Sequence, residues 1–231
     1  MEIRPDLSIC LLPAQDGADL SPCLAALFAC SDPLSLEVFL PQGARCGDYH
    51  ASPHLHFLDL PLNAANFFVK EVWQRARGRY LGLWHGGVMA SPASLFSLVE
   101  FLDAHPDVAV AGPRFFNEAG DVLATAFQRT MLIPDSVMPG WDGLATMEVD
   151  WLSSAALVVN RLALEDIRLP CSGLGGIWER RLCQRFQQQG WHIFFVHLAR
   201  VVSRERFCEP STLWQRFMDD WLQVVSDPFG R

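Results

Sequence analysis

Few side chains in this chain of 231 residues stand at spacings that demand chemistry. No Ser, His and Asp set suggests a nucleophilic triad, and no cysteine pair has the CxxC spacing of a zinc or redox site. The seven cysteines, at 10, 23, 30, 46, 171, 183 and 208, are odd in number. Several lie inside apolar runs such as Ile9-Cys10-Leu11, which predicts buried free thiols. His50, His54 and His56 form a loose group whose spacing of four then two offers a metal only a weak site. Gly86-Gly87 suits either a simple turn or a close backbone approach to a ligand, but it belongs to no P-loop or dinucleotide fingerprint. Arg180-Arg181 carries two guanidinium forks, which pair well with phosphate oxygens. A solvated helix face explains the same two residues.

These groups need elements to hold them. Leu7 to Leu12 is a short apolar run ended by Pro13 and predicts a buried first strand. Leu20, Leu24, Leu27 and Phe28 recur at helical spacing between Asp19 and Cys30. Strands are expected at Leu36–Leu40, His56–Leu60, Tyr80–Trp84 and Val108–Ala111, the last ended by Gly112-Pro113. Phe68–Arg77 reads as a helix. Ser91-Pro92 is a good helix start, with a capping hydroxyl and a proline at the first turn. A further strand is expected over Asp150–Val159, a helix over Trp178–Gln189 and a strand from His192 to Val196. Ser211–Val225 reads as an amphipathic helix with Leu213, Trp214, Phe217 and Trp221 on one stripe, which suits either core or an oligomer contact. Strands alternating with helices predict an α/β fold with a mostly parallel sheet covered on both faces. No repeat or linker interrupts the chain, so one domain over residues 1–231 is expected.

Four patches resemble family 2 nucleotide-sugar glycosyltransferases. They are Pro5-Asp6-Leu7-Ser8-Ile9, the Ala76-Arg77-Gly78-Arg79-Tyr80-Leu81 run with the later "FLDAHPDVAVAGPR" segment, Val149–Ala155, and Trp178–Cys183 followed by Gly190–Ile193 and Ala199–Val202. The resemblance implies a GT-A-like three-layer sandwich with its site at the carboxyl ends of the strands, as in open α/β sheets generally. It implies a nucleotide-sugar donor and a sugar or protein acceptor. The family's acidic metal-binding pair falls on His85-Gly86-Gly87, and the histidine that often completes that site falls on Ser203. Mg²⁺ and Mn²⁺ prefer oxygen ligands, so no metal and no other cofactor is expected.

The family's catalytic base falls on Glu179, which would take the acceptor hydroxyl's proton in an inverting, hexosyl-type transfer. An ordinary acidic residue in a helix's first turn is the other reading of Glu179. His85, Asp150, Trp151, Arg180 and Arg181 are the candidate substrate-binding residues. Trp151 offers a flat face to a sugar ring, and plain core explains it as well. Two functions follow: a metal-independent glycosyltransferase, or a catalytically inactive GT-A-like binding or assembly module. Trp84, Pro13 and Pro41 near the expected nucleotide site favour the second; Glu179 and Asp150-Trp151 favour the first.

Composition sets outer bounds. Half of the residues are apolar and 19% are charged, which fits a globular protein. A net charge of −8 argues against the basic footprint that nucleic acid needs. The charge-free stretch from Leu81 to Val99 holds His85, Gly86, Gly87 and Pro92, so it reads as strand, turn and helix, not a membrane span. Glu2, Arg4 and Asp6 break any signal-peptide pattern, and a cytoplasmic location is expected.

Overall fold

The computed structural model describes residues 4–13, 18–30, 34–59, 65–123, 126–127, 144–165, 167–168 and 176–204. The expected helix at Ser211–Val225 and the Gly173–Gly175 segment lie outside these residues. In chain order the elements are β1 (Leu7–Leu12), α1 (Ser21–Phe28), β2 (Leu36–Pro41), a 3-10 turn (Gly47–Ala51), β3 (Leu55–Leu58), α2 (Ala65–Arg75), β4 (Tyr80–His85) and β5 (Val88–Ala90). There follow α3 (Pro92–Ala104), β6 (Val108–Phe116), β7 (Val122–Leu123), β8 (Ala126–Phe127), β9 (Met147–Glu148), β10 (Trp151–Leu152), β11 (Ala156–Asn160), α4 (Arg161–Glu165), α5 (Gly176–Gln188) and β12 (His192–Ser203).

The main sheet has the order β3-β2-β1-β4-β11-β6-β12-β5. β3, β2, β1 and β4 run parallel, as do β6 and β12; β11 runs antiparallel between β4 and β6. The fold is thus α/β, with a mixed, mostly parallel central sheet. One face packs α1 and α3 through Leu24, Leu27, Leu95, Leu98 and Leu102, with Trp84 among them. The other packs α2, α4 and α5 through Val69, Val72, Ala163, Leu182 and Phe186, with Trp178 among them. Burying one large apolar side chain contributes about 1.5–3 kcal/mol, so two such layers supply the main stabilisation. Helix α3 shows its local causes plainly. The Ser91 hydroxyl accepts from the Ser94 amide at 3.2 Å, Pro92 opens the first turn, and His105, restricted by the following Pro106, leaves helical geometry.

The Ala76-to-Leu81 run has a structural account at the amino ends of the strands. Gly78 N–H donates to Ser8 Oγ at 2.7 Å, and Ser8 Oγ donates to Glu37 at 2.6 Å. The Arg77 amide donates to the same Glu37 oxygen at 2.7 Å. Glu37 is only 3% exposed, and His56 and the Arg77 guanidinium lie 3.5 and 3.6 Å from its other oxygen. Arg79 pairs with Asp6 at 2.8 Å and Asp103 at 2.6 Å, and Tyr80 donates to Asp103 at 2.7 Å. Burial, and then this bond to Asp103, push the Tyr80 hydroxyl well above its ordinary pKa. The run is therefore a polar clasp that seats β4 between β1 and the rest of the sheet.

The boundary of β6 differs from the expectation. β6 does not end at Gly112-Pro113 but continues to Phe116. Pro113 has no amide to give to the ladder, and β12 compensates with an irregularity: Val196 faces Pro113, and pairing resumes only at Arg200 with Arg114. The expected strand over Asp150–Val159 is also divided, into β10 and β11, by Ser153–Ala155.

Candidate functional site at the carboxyl ends of the strands

β1 and β4 end together, with Leu12 opposite His85. Because β11 is antiparallel, its start meets the end of β4, and the His85 amide donates to the Ala155 carbonyl at 2.9 Å. Strand alternation turns His85 away from the Trp84 face, toward the face that carries β10 and α5. Ser154 is next to Ala155, and it brings α5 to the same place. The Ser154 amide donates to Glu179 Oε1 at 3.2 Å, and its hydroxyl donates to the same oxygen. The resemblance implies that Glu179 is the catalytic base of a site at these strand ends, where an acceptor must reach it. Glu179 lies at that end, but its carboxylate is turned onto Ser154 and the residue is 3% exposed. Glu179 stands in the first turn of α5, where the helix dipole favours the carboxylate form.

Among the described residues no thiol is poised as a nucleophile. Burial pushes Cys183 up to about 12, and the neighbouring Glu179 charge adds to the rise. Cys10, Cys23, Cys30 and Cys46 are free and buried, and burial raises each of them too.

The β4–β5 turn does not fit a divalent cation. A Cβ at Gly86 would sit 2.2 Å from Leu20 Cδ2, and Leu20 is 1% exposed. A carboxylate at this position would have to displace a buried core side chain. The backbone is equally committed: Gly86 N–H donates to the Leu12 carbonyl at 2.8 Å, and the Gly87 carbonyl accepts from Arg204 at 2.9 Å. Ser203 pairs with Val88 beside this turn, where the resemblance implies a metal-binding histidine, and supplies no imidazole. Among the described residues no group of three His, Cys, Asp or Glu is gathered for a metal. Gly86→Asp is expected to cost about 1–3 kcal/mol through overpacking, with no recovery in Mn²⁺. A Tm for this variant that rises with added Mn²⁺ while the wild type stays constant would show that the turn can be made into a metal site.

Of the other candidates, Trp151 is 8% exposed and packs in the core with Trp178, so its flat face is not open to solvent. Asp150 is half-buried at the bend before it. Arg180 is half-buried and Arg181 exposed on the first turns of α5, flanking Glu179 in sequence. The three histidines do not converge: His50 stacks on Phe57 with centroids 4.7 Å apart, and His56 lies against Phe39 at 4.9 Å and near Glu37.

Sequence reasoning missed three residues on this face. Arg114 and Phe116 from β6 and Arg200 from β12 alternate with the buried Phe115, Ala199 and Val201, whose side chains join the opposite core. Both guanidinium groups lie over the Phe116 ring, Arg114 at 4.9 Å and Arg200 at 4.7 Å from its centroid. The only sequence signal was an arginine two residues before an aromatic, just past Gly112-Pro113.

No sequence-family profile matches the chain, and no curated protein does. Solved structures do. The crystal structure of GalNAc-T7 with UDP, GalNAc and Mn²⁺ matches with a TM-score of 0.63 at 12% identity, covering 90% of this chain and 46% of that one. The chain thus spans about half the length of that structure. A197 from STIV matches with a TM-score of 0.49 at 9% identity, covering 82% of this chain and 81% of that one. The fold resembles that of GT-A glycosyltransferases. Among the described residues no helix is long and apolar enough to cross a membrane.

Proposed function

We propose that the protein transfers a sugar from a nucleotide-sugar donor to an acceptor hydroxyl by an inverting route that uses no divalent cation. The observation that carries this reading is the placement of Glu179. It is a carboxylate oriented by Ser154 at the carboxyl ends of β1 and β4, where an open α/β sheet binds ligands. In this role Glu179 takes the proton of the acceptor hydroxyl as its oxygen bonds to the anomeric carbon. The bond from that carbon to the diphosphate breaks, and the diphosphate leaves with the electron pair. The likeness to a structure holding UDP, GalNAc and Mn²⁺ supports a nucleotide-sugar donor. The packed Gly86 turn supports the departure from metal. His85, Asp150, Arg180 and Arg181 are the remaining candidates for substrate contact. At 3% exposure, Glu179 requires that the side chains over it part when an acceptor enters.

One observation favours the second reading, a catalytically inactive GT-A-like binding or assembly module. Leu20 stands against Gly86, and the Gly86 amide is bonded to the Leu12 carbonyl, at the turn on which the resemblance puts the metal-binding pair. A thermal-shift screen of nucleotide sugars, with EDTA and with Mn²⁺, separates the two. The transferase reading expects a rise in Tm with at least one nucleotide sugar that is equal in EDTA and Mn²⁺. A flat response across the panel leaves the module reading.

A further inference from the structure

We propose that the outward face of β6, β7 and the end of β12 is the docking surface for the chain's own segment 211–225, held there by an apolar row and an arginine. The inference stands whether or not the protein transfers a sugar.

The row comes from register. Val202 on β12 lies opposite Phe116 on β6, and Phe116 lies opposite Val122 on β7. Residues directly opposite one another point to one side of a sheet, so the three side chains stand in a line across three strands. Their neighbours Val201, Phe115 and Leu123 point the other way, toward the α1 and α3 core. Val202, Phe116 and Val122 belong to neither core layer. Val202 is 39% and Val122 40% exposed, and Leu198, on the irregular stretch of β12 that leads into the row, is 64% exposed. Single apolar residues scattered over a surface need no account, but a row set in register across neighbouring strands does.

The row is framed by charge. Arg200, two residues before Val202, is exposed and lies over the Phe116 ring, 4.7 Å from its centroid. Among the described residues no carboxylate reaches it, whereas Arg204, two residues past Val202, reaches Glu118 at 3.4 Å. The face therefore fits an apolar cover that carries a carboxylate.

Segment 211–225 lies outside the described residues, and its sequence supplies both. At helical spacing Leu213, Trp214, Phe217 and Trp221 form one stripe, and Asp220, one turn from Phe217, borders it. A stripe with two tryptophans needs an apolar surface against it. The strand itself delivers the segment to the row. Val202 is part of the row, Arg204 follows two residues later, and only residues 205–210 separate Arg204 from Ser211. Fully extended, that connection spans about 20 Å, whereas the two strand spacings from β12 to β7 make about 10 Å. So short a tether holds the segment at an effective concentration in the millimolar range, which favours it over the same segment of a second copy.

The test is photo-crosslinking in the full chain, with Val202→p-benzoylphenylalanine. Irradiation at low protein concentration is expected to join position 202 to a residue of 211–225 in the same molecule, as read by peptide mass spectrometry, with a yield independent of concentration. The absence of that cross-link, or its replacement by cross-links to other segments, overturns the proposal. Cross-links that join two molecules and grow with concentration also overturn it, and give the face to a second copy of the chain. Thermal melts check the contact without the bulky probe. Val202→Ser and Phe217→Ser are each expected to lower Tm by about 2–4 °C, and the double variant by no more than the larger of the two, because both remove one contact. Losses that simply add overturn the docking.

Discussion

Glu179→Gln is expected to lower turnover by about two to four orders of magnitude, the usual contribution of a general base. The amide keeps the size of the side chain and still accepts the hydrogen bonds that Ser154 gives to Oε1. The fold should therefore persist, and donor binding, which the base does not provide, should change little. The loss belongs to kcat. The effect is measured as the rate of nucleoside diphosphate release from whichever nucleotide sugar stabilises the protein. An unchanged rate removes Glu179 from the chemistry and leaves it as a buried anchor between α5 and the start of β11.

Gly78→Ala is expected to be the most damaging small substitution in the described chain. An added Cβ would stand 2.5 Å from Ser8 Oγ, 2.6 Å from the Ser8 amide nitrogen and 2.8 Å from the Tyr80 carbonyl. Two of these neighbours are backbone, so no rotamer change relieves them. Relief requires β1 and β4 to separate at their amino ends, which breaks the Gly78–Ser8–Glu37 chain of hydrogen bonds as well. A cost of about 3 kcal/mol follows from the overpacking alone. For a chain of this size that is a fall in Tm of roughly 6–12 °C. A variant that melts within about 2 °C of the wild type would show that the strands part there without penalty.

The residues that made the chain legible were those with local causes. β1, β4 and α3 follow from a continuous apolar run or from a cap, and each stands where its own residues put it. The sequence misjudged β6 because a proline normally ends a strand, and the remedy for Pro113 lies in β12, over 80 residues further on. Glu37 was invisible for the same reason. In sequence it is one charge among apolar strand residues, and its partners Ser8, Arg77 and His56 arrive from three other segments. At the site, Glu179 was singled out through a resemblance, and its role there stands as a proposal. Its burial was not legible, because Ser154 reaches it across 25 residues. Trp151 was read equally as platform and as core, and packing decided for core. Arg114 and Arg200 carry no signal until the sheet sets them side by side. The Ala76-to-Leu81 run carried a family likeness, while its physical work is done at the end of the sheet away from the site.

The most direct test of metal-independent transfer is the release of nucleoside diphosphate from a panel of nucleotide sugars, with a range of acceptor hydroxyls, in EDTA and in Mn²⁺. The account predicts turnover with at least one donor at the same rate in both, and its loss in Glu179→Gln. Turnover that appears only with Mn²⁺, or a rate in EDTA that Glu179→Gln does not change, would contradict it.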